Sequence, residues 1–126
     1  LLSLGGGSHG VSLYLQEGVP CAAVRTAGQL AVVRGPQPLT LQEWHHVAAL
    51  LTARAELRLF VNGKPAGSVK CEGITAKPAE SFSLGGDPGS RVGTYETALP
   101  WQGLLEDARV YWGELEKDTL DAWAAR

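Results

Sequence analysis

Apolar residues fall at every second position over short stretches through the first two thirds of the chain. In residues 11–15, Val11, Leu13 and Leu15 share one face while Ser12 and Tyr14 share the other. That period of two is the signature of a strand with two unlike faces. Residues 21–26 and 29–34 read as a hairpin around Ala27-Gly28, closed by Gly35-Pro36; proline has no N–H to give a central ladder, so the strand stops there. Residues 57–61 alternate and then meet Asn62-Gly63. An Asn-Gly pair between strand-forming runs predicts a two-residue hairpin, because a type I′ turn needs positive φ at both central residues. The returning arm covers 66–70, and Pro65 places it near an edge or at a strand start.

Residues 47–51 are apolar on both faces, which fits a central strand covered on both sides or a buried helix; the hairpin that follows points to the strand. Residues 82–85 predict another short strand, and 104–112 predict the last one. After Gly113 the period changes: Leu120, Trp123 and Ala124 fall at i, i+3 and i+4 behind acidic Glu116 and Asp118, so a short C-terminal helix is expected. Many short strands with a single terminal helix predict an all-β, antiparallel two-sheet sandwich and argue against a βαβ fold.

Composition narrows the function classes. The chain has 126 residues, one ordinary domain, so residues 1–126 are read as one unit. A hydrophobic content of 44% with 19% charged residues describes a globular chain. A net charge of −2 without a dense Lys/Arg run gives no footprint for nucleic acid. No apolar stretch approaches the ~20 residues that span a bilayer, and no signal peptide is recognisable. The chain contains no methionine and is read as a piece of a longer polypeptide, whose other domains are then among its partners. Two cysteines, Cys21 and Cys71, permit one disulfide or serve as two small buried hydrophobes.

Several segments together carry a family resemblance. Trp44-His45-His46-Val47-Ala48 resembles the W-x-H-V-A strand of laminin-G-like, concanavalin A-like jelly rolls. Residues 57–65 resemble their L-x-L-Y-V-N-G hairpin, Ser83-Leu84-Gly85-Gly86 the strand written L-x-I-G, and residues 103–111 the strand G-x-I-D-D-V-R-I-Y. Residues 115–120 resemble the helix entry that follows. The resemblance implies a jelly roll built for recognition. Nothing matches the family's usual opening strand, and Leu2-Ser3-Leu4-Gly5 instead resembles the segment after it. The resemblance therefore implies a sandwich lacking its opening strand, with an unpaired edge or an exposed apolar groove.

Candidate chemistry is sparse. Trp44 reads as a core aromatic anchoring a strand entry rather than a sugar platform, since a tryptophan buries a large area. His45 and His46 are adjacent, so on a strand they point to opposite faces and cannot share one metal; the resemblance makes His46 structural, along with Asn62 and Gly63. Asp87, in Gly85-Gly86-Asp87-Pro88-Gly89, is either an Asx-turn residue or the one plausible side-chain ligand of a weak calcium site. Glu106 and Asp107 are more doubtful second ligands, since the family usually has Asp where Glu106 stands. Trp101, Tyr95 and Arg91 are the candidate ligand-binding residues, the aromatics by stacking on a sugar ring or a partner. The Glu-x-Asp-x-x-Glu run that places acid and nucleophile on one face in the related β-glucanases is absent, so no catalytic residue is assigned and no cofactor is expected.

The reading is a non-catalytic recognition module. A glycan is the first expected ligand, within a larger extracellular, periplasmic or cell-surface protein. A protein-docking or structural domain, possible also inside the cell, is the second reading, and a glucanase-type catalytic domain the third.

Overall fold

A computed structural model of the chain describes residues 1–74, 76–96, 100–111 and 113–125. In it the alternating segments form β1 (Leu2–Gly5), β2 (Gly10–Gln16), β3 (Val19–Thr26), β4 (Gln29–Arg34), β5 (Val47–Leu51), β6 (Glu56–Val61), β7 (Lys64–Lys70) and β8 (Phe82–Leu84), followed by the helix α1 (Lys117–Ala124). The strands make two sheets, one in the order β4-β3-β2-β1-β8 and one in the order β5-β6-β7. Every pairing is antiparallel. The protein is the all-β sandwich with a short C-terminal helix that the periodicity predicts.

Local chemistry explains the hairpins. Glu17-Gly18, Ala27-Gly28 and Asn62-Gly63 each carry positive φ at both positions, 51° and 77° in the last, so each is a tight two-residue turn with glycine where a β-carbon is least welcome. Asn62 does more than turn the chain. Its Oδ1 accepts the His46 N–H at 2.9 Å, and its own N–H donates to the His46 carbonyl at 2.7 Å. The turn thereby fixes where β5 begins. Pro65 sits on β7, an edge strand, beside a register shift at Leu59/Phe60, where a missing N–H is tolerated.

The main core lies between the sheets. Leu13, Ala22, Val24 and Val33 from one sheet meet Leu57 and Leu59 from the other. β4 lies over β7 and β3 over β6, which sets β5 opposite β2 and leaves β1 and β8 extending past the smaller sheet. Phe82 and Leu84, in register with Leu4 and Leu2 on the core-facing side, stay 45% and 50% exposed. The sandwich is closed on one flank and open on the other.

Three expectations are corrected. Residues 47–51 form a strand, but β5 is an edge strand of intermediate burial rather than a central strand covered on both sides, because no strand lies beyond it. Trp44 is 64% exposed rather than buried. It precedes β5 by three residues at this open flank, so nothing lies opposite to cover its ring. Residues 104–111 join no sheet and are exposed throughout. Asp107 adopts φ of 57°, which interrupts an extended run; Trp112, the expected end of this strand, lies outside the described residues. Trp44→Ala is accordingly expected to shift unfolding free energy by no more than about 0.5 kcal/mol, checked by urea titration; a loss of several kcal/mol would return Trp44 to the core.

Candidate functional site

The larger sheet has a second face, and its side chains come from the polar side of the β2 alternation. Register places Ser12 and Tyr14 of β2 beside Ala23 and Cys21 of β3. The loop that follows β8 folds back over them. Val92 and Tyr95 join Tyr14, Cys21 and Ala23 in a buried cluster separate from the main core, with the Tyr95 ring edge-on to Tyr14 at 4.9 Å between centroids. Gly93 lets the loop come this close: a β-carbon there would lie 2.6 Å from the Tyr95 ring and 2.8 Å from Tyr14, and φ is 150°.

A chain of hydrogen bonds pins the loop. The Ser12 hydroxyl donates to the Val92 carbonyl. The Tyr95 hydroxyl donates to Asp87 Oδ2, while the Val92 N–H reaches the Tyr95 hydroxyl at 3.0 Å and Asp87 Oδ2 at 3.4 Å. Tyr14 Oη accepts the Thr94 N–H at 3.2 Å, and the Thr94 hydroxyl donates to Gln16 Oε1 at 2.5 Å. Glu80 Oε2 accepts the Ser90 N–H at 2.7 Å. Burial pushes both phenols above the usual tyrosine range, and at Tyr95 the bond to the Asp87 carboxylate adds to it. Both hydroxyls therefore remain donors at neutral pH.

The expected site residues separate into two groups. Tyr95, expected as an exposed aromatic platform, is 5% exposed and packed on Tyr14; it roofs a core and offers no ring to a ligand. Asp87 is 6% exposed, with Oδ2 taken up inside the loop, so its carboxylate acts as an internal acceptor. Among the described residues no group of three or more His, Cys, Asp and Glu side chains converges. Arg91 is exposed on the same loop, near β3, where the Arg25 guanidinium donates to the Arg91 carbonyl at 3.5 Å. Trp101 is half-buried at the opposite end of β1, its N–H bonded to the Gly85 carbonyl at 2.8 Å and its indole N–H buried without a protein partner. Arg91 and Trp101 do not share a site.

The His46 backbone is held by Asn62, and burial lowers its ring pKa, with Asp107 opposing. Cys21 and Cys71 are free thiols. They belong to different clusters, Cys21 under the loop and Cys71 against the main core, and burial raises both thiols. Sequence reasoning missed Thr94 and Gln16, which bond to each other at one end of β2, and Arg25, which donates to the Arg91 carbonyl at the other end. The only signal for them was the polar face of β2, where Ser12, Tyr14 and Gln16 alternate.

The arrangement is a loop bonded to β2 whose aromatics face inward, with the exposed Arg91 guanidinium donating to the Tyr95 carbonyl at 3.4 Å and the Thr94 hydroxyl bonded to the Gln16 amide at its surface. Such groups hydrogen-bond hydroxyls and carboxylates. No helix among the described residues is long and apolar enough to cross a membrane.

Solved structures share this fold. The CBM40 of the Ruminococcus gnavus IT-sialidase, solved bound to alpha2,3 sialyllactose, superposes with a TM-score of 0.77 at 24% identity, over 98% of this chain and 72% of that one. A heptameric SAP-like pentraxin from Limulus polyphemus gives 0.70 at 18% identity, over 98% of this chain and 61% of that one. An S-layer domain-containing protein from Clostridium thermocellum gives 0.52 at 19% identity, over 94% and 58%. No curated protein matches the sequence. A family model matches residues 2–120, nearly the whole sandwich, and the chain therefore belongs to the concanavalin A-like lectin/glucanases superfamily.

Proposed function

We propose that the protein is a non-catalytic glycan-binding module that works at the cell surface or outside the cell. One observation carries the reading: the loop over the outer face of the larger sheet is locked from within and presents Arg91, Thr94 and Gln16 at its rim. A preformed rim of polar groups suits a saccharide, because little ordering entropy is lost on binding. Binding rather than catalysis is supported by the missing carboxylate run and by the internal use of Asp87. The likeness to a carbohydrate-binding module that was solved with sialyllactose makes a carboxylated glycan the first probe, since Arg91 and Arg25 lie together on this side.

Screening on a glycan array, followed by calorimetry, tests this. Arg91→Ala is expected to weaken binding of the best glycan about tenfold or more, the range for a lost charge-assisted hydrogen bond of ~1.5–3 kcal/mol, with the melting temperature unchanged. An array on which nothing binds, or an Arg91→Ala variant of unaltered affinity, contradicts the proposal.

A further inference from the structure

Asn62 is the only asparagine in the chain, and it stands before Gly63 at the tip of the hairpin between β6 and β7. The nitrogen of the residue after an asparagine can attack the side-chain amide carbon and close a succinimide ring. Glycine puts no β-carbon in the way of that approach. The tight turns Glu17-Gly18 and Ala27-Gly28 share the positive φ pattern but carry no side-chain amide that could leave. Asn62 is exposed, so water reaches it. Gly63 lies between the paired positions Val61 and Lys64, outside the ladder.

The groups around the Asn62 amide suit the reaction. Its Oδ1 accepts the His46 N–H at 2.9 Å, a fixed donor on the oxygen that gains charge when Cγ is attacked. Its Nδ2, the nitrogen that would leave, lies 3.3 Å from His45 Nδ1. The other ring nitrogen of His45 is 3.0 Å from the Thr40 carbonyl oxygen. A carbonyl only accepts, so Nε2 carries a hydrogen, and Nδ1 of the neutral ring accepts from Asn62. A proton taken up at Nδ1 faces the leaving nitrogen directly. The bonds to His46 run through Oδ1 and the Asn62 N–H. They hold the side chain while the link to Gly63 rotates to bring its nitrogen onto Cγ.

We propose that Asn62 is a self-modification site, converted to aspartate and isoaspartate by its own turn. The Gly63 nitrogen gives its hydrogen to water and forms a bond to Cγ; the Cγ–Nδ2 bond breaks, and Nδ2 leaves as ammonia with a proton passed from solvent by His45. Water then adds to either carbonyl of the succinimide and opens the ring. The net change is one water consumed and one ammonia released, with no oxidation or reduction. Aspartate has no hydrogen to give Nδ1 of the neutral His45 ring. Isoaspartate adds a methylene to the main chain, so a two-residue turn no longer matches the pairing of Val61 with Lys64. Either product loosens the contact that fixes where β5 begins. The site lies on the smaller sheet and is independent of glycan binding.

Incubating the protein for weeks at neutral pH and body temperature, folded and in urea, tests the proposal. Peptide mass spectrometry locates the conversion, and enzymatic methylation of isoaspartate counts that product. Conversion at Asn62 is expected in the folded protein, with both products present. His45→Phe keeps a flat ring without nitrogens. It is expected to slow conversion in the folded protein about tenfold or more, as loss of a positioned proton donor does, and to leave the rate in urea unaltered. Conversion confined to the urea samples would mean that the turn protects its amide and would overturn the proposal. So would a folded His45→Phe variant that converts at the parent's rate.

Discussion

Replacing Tyr14 with alanine is expected to lower the unfolding free energy by about 3–5 kcal/mol, the usual loss for a buried aromatic. Tyr14 is 2% exposed. Its ring meets Tyr95, and its hydroxyl holds Thr94. Alanine would leave a cavity under the loop and remove the floor on which Val92 and Tyr95 rest. Tyr14→Phe keeps the ring and gives up only the hydroxyl contacts, so a loss nearer ~1 kcal/mol is expected. Urea unfolding of both variants checks the ranking. Equal losses would mean that the hydroxyl network, and not ring packing, holds the loop. Because the loop carries Arg91 and Thr94, Tyr14→Ala is also expected to weaken glycan binding, whereas Tyr14→Phe should bind nearly as the parent does.

Leu59→Ala is the second large effect expected, at about 2–5 kcal/mol. Leu59 is completely buried at the centre of the β6 face, in the cluster with Leu13, Ala22, Val24 and Val33. The void cannot readily collapse. On the β7 side Gly67 already packs so closely on β4 that a β-carbon there would come within 2.8 Å of Val33, and the cost of a cavity rises with how little its walls relax. The affinity for glycan should be unaltered in whatever fraction remains folded, since the rim lies on the other side of the larger sheet. Thermal unfolding with binding measured below the transition separates the two effects.

The parts of the fold that could be read from the sequence are those set by residues near one another in the chain. Alternation in 57–61 followed by Asn62-Gly63 defines a hairpin by itself, and the change of period after Gly113 marks α1 for the same reason. What could not be read depends on what lies opposite. Trp44 has the size and setting of a core residue, yet it sits at the flank where the smaller sheet ends. Residues 104–111 have the composition of a strand, but a strand exists only with a neighbour to pair with. Tyr95 and Asp87 read as exposed loop groups. They are buried because their loop returns to Ser12 and Tyr14, about 80 residues earlier in the chain, a contact no local pattern announces. Arg91 kept its expected place on the surface, and the bonds of Arg25 to its carbonyl and of Thr94 to Gln16 became visible only once the strands and the loop were seen together.

The central claim is that a saccharide binds at the rim of the loop over the larger sheet. The most direct measurement is a titration of the isotope-labelled protein with alpha2,3 sialyllactose and with the best ligand from the glycan array, followed by amide and arginine side-chain NMR. The account predicts shifts concentrated at residues 89–94, at Gln16 and at the Arg25 and Arg91 guanidinium groups, with β5 unmoved. Shifts confined to the β5 edge and Trp44, or none with any glycan at millimolar concentration, would contradict it.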